Sequence, residues 1–149
     1  MAELTYRDAV AAGIAQEMAR DERVVFLGED VAAAGGVFKA TVGLLDQFGP
    51  KRVRDCPISE QAILGAAMGA AMTGLRPIAE IMFSDFLAVC WDIVANEIAK
   101  TRYMTNGQIT LPLEPQGLTP ELLEKVGVEI GAHRIIDGMS QEVHIGIGD

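Results

Sequence analysis

The chain has 149 residues, half of them apolar and only 5% aromatic, which fits one domain with a core of small aliphatic side chains. A net charge of −9 argues against nucleic acid and anionic membranes as partners, because an acidic surface is repelled by both. Cys56 and Cys90 lie far apart and form no CxxC pair, which predicts reduced thiols in a cytoplasmic protein. No signal peptide is expected, since the first residues lack a basic-then-apolar segment. The near-apolar run 62–75 falls well short of the roughly 20 residues that a bilayer span needs.

Thr5 followed by Asp8 predicts a helix start. Val10, Ile14 and Met18 then recur at four-residue spacing as one amphipathic stripe. Residues 24–27 form a short apolar run, expected to be a buried strand, and Gly28-Glu29-Asp30 leaves its carboxyl end. Residues 32–36 read as a loop and 41–48 as a short helix closed by Gly49-Pro50. A second strand is expected over 52–56. Ser59 is placed to cap a helix running to Gly74, in which Gly65 and Gly69, with Ala66 and Ala70, leave one side almost bare. A third strand is expected over 76–82, with Pro77 near its start. From Ser84-Asp85 a long helix is predicted to about Arg102, its apolar face made by Phe86, Val89, Cys90, Ile93, Val94 and Ile98. Asn106-Gly107 is a turn, and 109–113 a fourth strand. Strands alternating with helices at this spacing predict an α/β fold, a parallel sheet with helices on both faces. The segment 113–149 differs in character. Within it a short helix begins at Thr119-Pro120-Glu121, and two strands are possible around Asp137-Gly138.

The glycines at 65 and 69 do not make a dinucleotide fingerprint, because they sit inside a helix rather than in a strand-to-helix turn. Close helix packing at a subunit interface explains them better. The two cysteines have no base nearby in sequence and read as small buried hydrophobes. His133 and His144 lack flanking ligands, so no metal site is expected. Lys and Arg residues are scattered, as on solvated faces. Glu60 stands out: a carboxylate at the mouth of a small-residue helix is costly to bury unless paired. Composition alone would explain it as a first-turn acid that complements the helix dipole. Glu29, at a strand's carboxyl end where ligands gather in open parallel sheets, is equally an ordinary loop acid. Met82 and Phe86 fit either core packing or a pocket wall.

Several motifs occur together and in order: Gly28-Glu29-Asp30-Val31, Gly35-Gly36-Val37-Phe38, Arg54-Asp55-Cys56-Pro57-Ile58-Ser59-Glu60, Gly74-Leu75-Arg76-Pro77, Met82-Phe83-Ser84-Asp85-Phe86 and Ala99-Lys100-Thr101-Arg102-Tyr103-Met104. Over residues 4–112 the chain resembles the beta subunit of the thiamine diphosphate-dependent decarboxylating component of 2-oxo acid dehydrogenase complexes. The resemblance implies a transketolase-like, pyrimidine-binding α/β domain, incomplete in this chain, with a divergent tail from residue 113. It also implies that Glu60 activates the cofactor's aminopyrimidine ring, and that Glu29 lies near the cofactor. Met82 and Phe86 would wall the pyrimidine pocket beside Ile58. The family's Gly-Asp-Gly pattern with a downstream Asn is not found, so magnesium and diphosphate are expected to be held by a partner chain, the alpha-type subunit. A lipoyl-bearing acyltransferase and an oligomeric assembly complete the implied partners. The substrate stays open among pyruvate, a branched-chain 2-oxo acid and acetoin. The alternative is a remodelled, non-catalytic domain of this fold that binds no cofactor.

Overall fold

The structure, a computed structural model, describes residues 5–112. The tail helix, the two tail strands and both histidines of the sequence analysis lie outside the described residues. Helix α1, Tyr6–Arg20, opens as its cap predicts: the Thr5 side chain accepts the Asp8 N–H at 3.2 Å. Strand β1, Val24–Gly28, is buried along its whole length, as a central parallel strand covered on both faces must be. Helix α2, Leu44–Phe48, is preceded by Gly43 in the left-handed conformation, which shortens the predicted 41–48 helix at its start. Strand β2, Val53–Asp55, helix α3, Glu60–Met72, and strand β3, Arg76–Ala79, follow.

The three strands form one parallel sheet in the order β2-β1-β3. Phe26 faces Val53 on one side and Ile78 on the other. Pro77 costs the ladder no bond: the N–H groups of Arg76 and Glu80 donate toward β1, and position 77 faces the side of β3 on which no strand pairs among the described residues. Two clusters cover the two faces. Ile14 and Met18 of α1 pack with Val24, Phe26, Val31, Leu44, Val53 and Ile78. Ile63, Leu64, Ala67 and Ala71 of α3 pack with Leu27, Ala79 and Cys90 on the opposite face. The expected arrangement of helices on both sides of a parallel sheet is therefore present.

Gly28 shows how tightly the carboxyl end of β1 is built. A Cβ added there would lie 2.7 Å from Val31 Cγ1 and 3.0 Å from Glu80 Cβ. At the opposite end of the sheet, Arg52 gathers loose carbonyls. Its guanidinium donates to the carbonyls of Met18, Asp21 and Val24 at 2.7–2.9 Å and stacks over the Phe48 ring at 5.2 Å. This satisfies acceptors at the end of α1 that the helix itself leaves unpaired. Arg52 is thus structural rather than one more solvated charge.

Three further expectations change. The long helix from Ser84 to about Arg102 is broken into a 3₁₀ turn, Ser84–Ala88, a π-helical stretch, Ile93–Ile98, and helix α4, Ala99–Met104. In the π-helical stretch, i→i+5 bonding brings Ile93 and Ile98 to one face, where they pack with Val94 against the α3 cluster. Val89, expected on the apolar face, is instead exposed. Second, residues 109–112 form no strand. The chain turns through Asn106 and Gly107 at φ of 53° and 77°, and Thr105 Oγ1 accepts the Ile109 N–H at 3.2 Å. Leu111 reaches the second core cluster without joining the sheet. Third, Ser59 occupies the cap position of α3 but its side chain makes no capping bond.

Candidate functional site

The carboxyl ends of three parallel strands meet at one edge of the sheet, and each is followed at once by acidic or apolar residues. Glu29 follows β1, Asp55 ends β2, and Glu80 follows β3. Glu60 begins α3, five residues beyond β2. Glu29 is 8% exposed and Glu60 9% exposed. Among the described residues, neither takes part in an ion pair. Burial pushes the Glu29 carboxyl above the usual carboxylate range, and the nearby charges of Glu60 and Asp30 push it further. Glu80, half-buried, is raised by burial and then by the charge of Glu29. The edge therefore concentrates negative charge in a place that penalises it. Such a site favours a proton, or a ligand group able to share one.

Thiols border the same edge. Burial raises the Cys90 thiol, with Glu60 adding to the effect. Burial likewise raises Cys56, which also feels Asp55 and Glu29. Both are held as neutral thiols, as expected of cysteines without a base. No group of three or more His, Cys, Asp or Glu suited to a metal ion occurs among the described residues.

Apolar side chains complete the edge. Phe38, from the loop after β1, meets Phe83 edge-on at 5.4 Å between ring centres, and Phe83 meets Phe86 edge-on at 5.3 Å. Phe86 is 37% exposed and Met82 is half-buried. These two candidate pocket residues thus stand at the rim rather than in the core. Ile58 is the most open of the set at 84% exposed. The structure thereby brings Glu29 and Glu60 together and sets Phe86 in an aromatic cluster. It leaves Ile58 projecting outward beside them.

Four residues at this edge were not singled out from sequence. Glu80 is a lone acid in the apolar run Ile78-Ala79-Glu80-Ile81-Met82, a pattern that could have drawn attention to it. Asp55, Phe38 and Phe83 acquire meaning only from the strand order. On the outer side of α3, a Cβ at Gly65 or Gly69 would meet nothing within 4 Å. The bare stripe is therefore not filled by the described residues of this chain.

The family model for the transketolase pyrimidine-binding domain matches residues 2–121. The beta subunit of 2-oxoisovalerate dehydrogenase from Bacillus subtilis (strain 168) is 49% identical over 113 residues, covering 76% of this chain and 35% of that protein. The pyruvate dehydrogenase E1 component subunit beta of Rickettsia conorii is 46% identical over 115 residues, 77% of this chain and 35% of that protein. The mitochondrial counterpart from Homo sapiens is 45% identical over 115 residues, 77% and 32% respectively. The chain thus spans about a third of the length of the curated relatives it matches.

Proposed function

This chain belongs to the transketolase pyrimidine-binding domain family, and from that premise we propose that it serves as a beta-type subunit of a 2-oxo acid dehydrogenase complex. In this reading Glu60 is the carboxyl group that activates thiamine diphosphate. The observation that carries it is the pairing of two almost buried carboxylates, Glu29 and Glu60, at the carboxyl edge of a parallel sheet. The edge fits a pyrimidine: burial and like charge at Glu29 favour a shared proton, which suits a basic ring nitrogen held at Glu60, beside exposed aromatic surface suited to a flat ring. Similarity to dehydrogenase beta subunits supports the same reading.

Thiamine diphosphate, when bound, supplies a stabilised carbanion for attack on a 2-oxo acid and release of carbon dioxide. Glu60 would hold a proton at the ring nitrogen and recover it, acting as a general acid and base. Met82, Phe86 and Ile58 would exclude water from that hydrogen bond, which strengthens it. Glu29 would support Glu60 by keeping negative charge close to it. Magnesium and diphosphate fall to an alpha-type subunit, and the acyl group to a lipoyl-bearing acyltransferase. The domain in this role is residues 4–112, with 113–149 as an additional segment.

Calorimetry tests the reading directly. Thiamine diphosphate and magnesium, titrated into an assembled mixture of this chain with an alpha-type subunit, should give saturable heat that neither chain gives alone. An assembled mixture that takes up no cofactor would instead favour a non-catalytic domain of this fold.

A further inference from the structure

Glu29 lies between two residues that are gripped by neighbouring positions of one other segment. On one side of it, the Gly28 carbonyl accepts the Cys56 N–H at 2.8 Å. On the other, the Ala32 N–H donates to Asp55 Oδ1 at 2.7 Å. Residues 55 and 56 end β2 and lead, through Pro57, to Glu60. We propose that Asp55 is a positioning residue: by accepting the Ala32 N–H it locks the loop after β1 onto the segment that carries Glu60, and so holds Glu29 against Glu60.

The rest of the loop bonds inward. The Gly36 N–H donates to the Asp30 carbonyl at 2.8 Å, and the Thr41 N–H to the Gly35 carbonyl at 3.2 Å. Lys39 Nζ donates to the Ala34 carbonyl at 2.7 Å. Among the described residues, Asp55 is the only side chain from another element that hydrogen-bonds residues 29–43. Val31 is fully buried beneath the loop, but an apolar anchor is not directional. The chain also reverses at Asp30, φ 54°, so the direction in which Glu29 enters the edge depends on where Ala32 is held. A charged acceptor on a backbone N–H supplies that direction.

Its functional meaning rests on the proposed role of Glu60, but its test does not, since it needs no cofactor. In the full 149-residue chain, carboxyl-detected NMR follows the titration of Glu29, and amide exchange follows Ala32. The charged and titratable groups around Glu29 are Glu60 from α3, Asp30 in the loop, Glu80 beyond β3 and the Cys56 thiol. Asp55 is not among the charges that raise Glu29, so its removal acts through geometry. Asp55→Ala should speed exchange at Ala32 by about tenfold or more and bring the Glu29 titration down toward an ordinary carboxylate as water reaches it. Asp55→Asn, whose amide oxygen still accepts the N–H, should restore both. The proposal is overturned if Asp55→Ala leaves the Glu29 titration at its wild-type position, or if Asp55→Asn lowers it as far as Asp55→Ala does. Should Asp55→Ala not fold, Asp55→Ser, too short to reach Ala32, takes its place with the same two readings required.

Discussion

At the scale of single residues, the sheet edge trades stability for chemistry. Glu29 and Glu80 are both held above the ordinary carboxylate value of 4.5 by burial and by neighbouring negative charge. The folded chain therefore binds more protons than the unfolded chain between 4.5 and their folded values. Their contribution to stability is greatest below 4.5 and is lost as pH rises through the folded values. Urea midpoints should rise as pH falls from neutral toward 4.5. Below 3.8 a separate loss sets in, because Asp21 then takes up a proton in the unfolded chain while its bonds to Arg23 keep it ionised in the folded one. That loss is small, since the pair is exposed. Glu29→Gln should raise the urea midpoint at pH 7 and leave it unchanged at pH 4, where the native glutamate is neutral as well. Gly28→Ala tests the packing beside it: a methyl group 2.7 Å from Val31 Cγ1 should cost about 1–3 kcal/mol in chemical denaturation. Glu60 and Glu29 stood out as candidates in sequence because one opens a small-residue helix and the other follows an apolar strand, and the structure finds both almost buried at the sheet edge. Asp55 and Glu80 did not stand out, because their importance depends on β2 and β3 flanking β1, an order that strand spacing alone does not specify.

At the scale of elements, legibility followed the strength of the apolar pattern. α1, β1, α3 and the parallel sheet came through because burial dictates their composition. The segment 84–104 read as one helix because its apolar residues fall within a helical window, with Cys90, Val94 and Ile98 four apart, a spacing that gives no sign of the widened turn over Ile93–Ile98. The predicted fourth strand failed for a local reason: Thr105 bonds the Ile109 N–H and takes that donor away from any sheet. Arg52 was hidden among scattered charges, because its three carbonyl acceptors lie 28–34 residues upstream. Arg52→Ala should lower unfolding free energy by about 2 kcal/mol, with Arg52→Lys recovering only part of it, since an ammonium group does not reproduce the planar fork. Equilibrium urea unfolding at neutral pH, followed by circular dichroism, checks both variants.

At the scale of the whole molecule, the proposed function divides the work between chains. This chain offers the carboxylates, the aromatic rim and a bare helix stripe at Gly65 and Gly69. The diphosphate and magnesium contacts are assigned to an alpha-type partner. Fold and family were legible because several motifs stand in one order over most of the chain. The proposed sharing of a site between chains comes from the resemblance alone, since no residue pattern within one chain displays a partner. The central claim is that Glu60 does proton chemistry rather than merely complementing the dipole of α3. The direct test is turnover of the Glu60→Gln variant in a complex reconstituted with an alpha-type subunit, with cofactor affinity measured on the same sample. The amide keeps the shape of the carboxyl group but does not give up and recover a proton. The account predicts a loss of roughly 10²–10⁴ in rate with cofactor affinity largely kept. Turnover within a factor of about two of wild type would contradict it and leave Glu60 as a helix-start carboxylate, contributing only about 0.3–1 kcal/mol of stability.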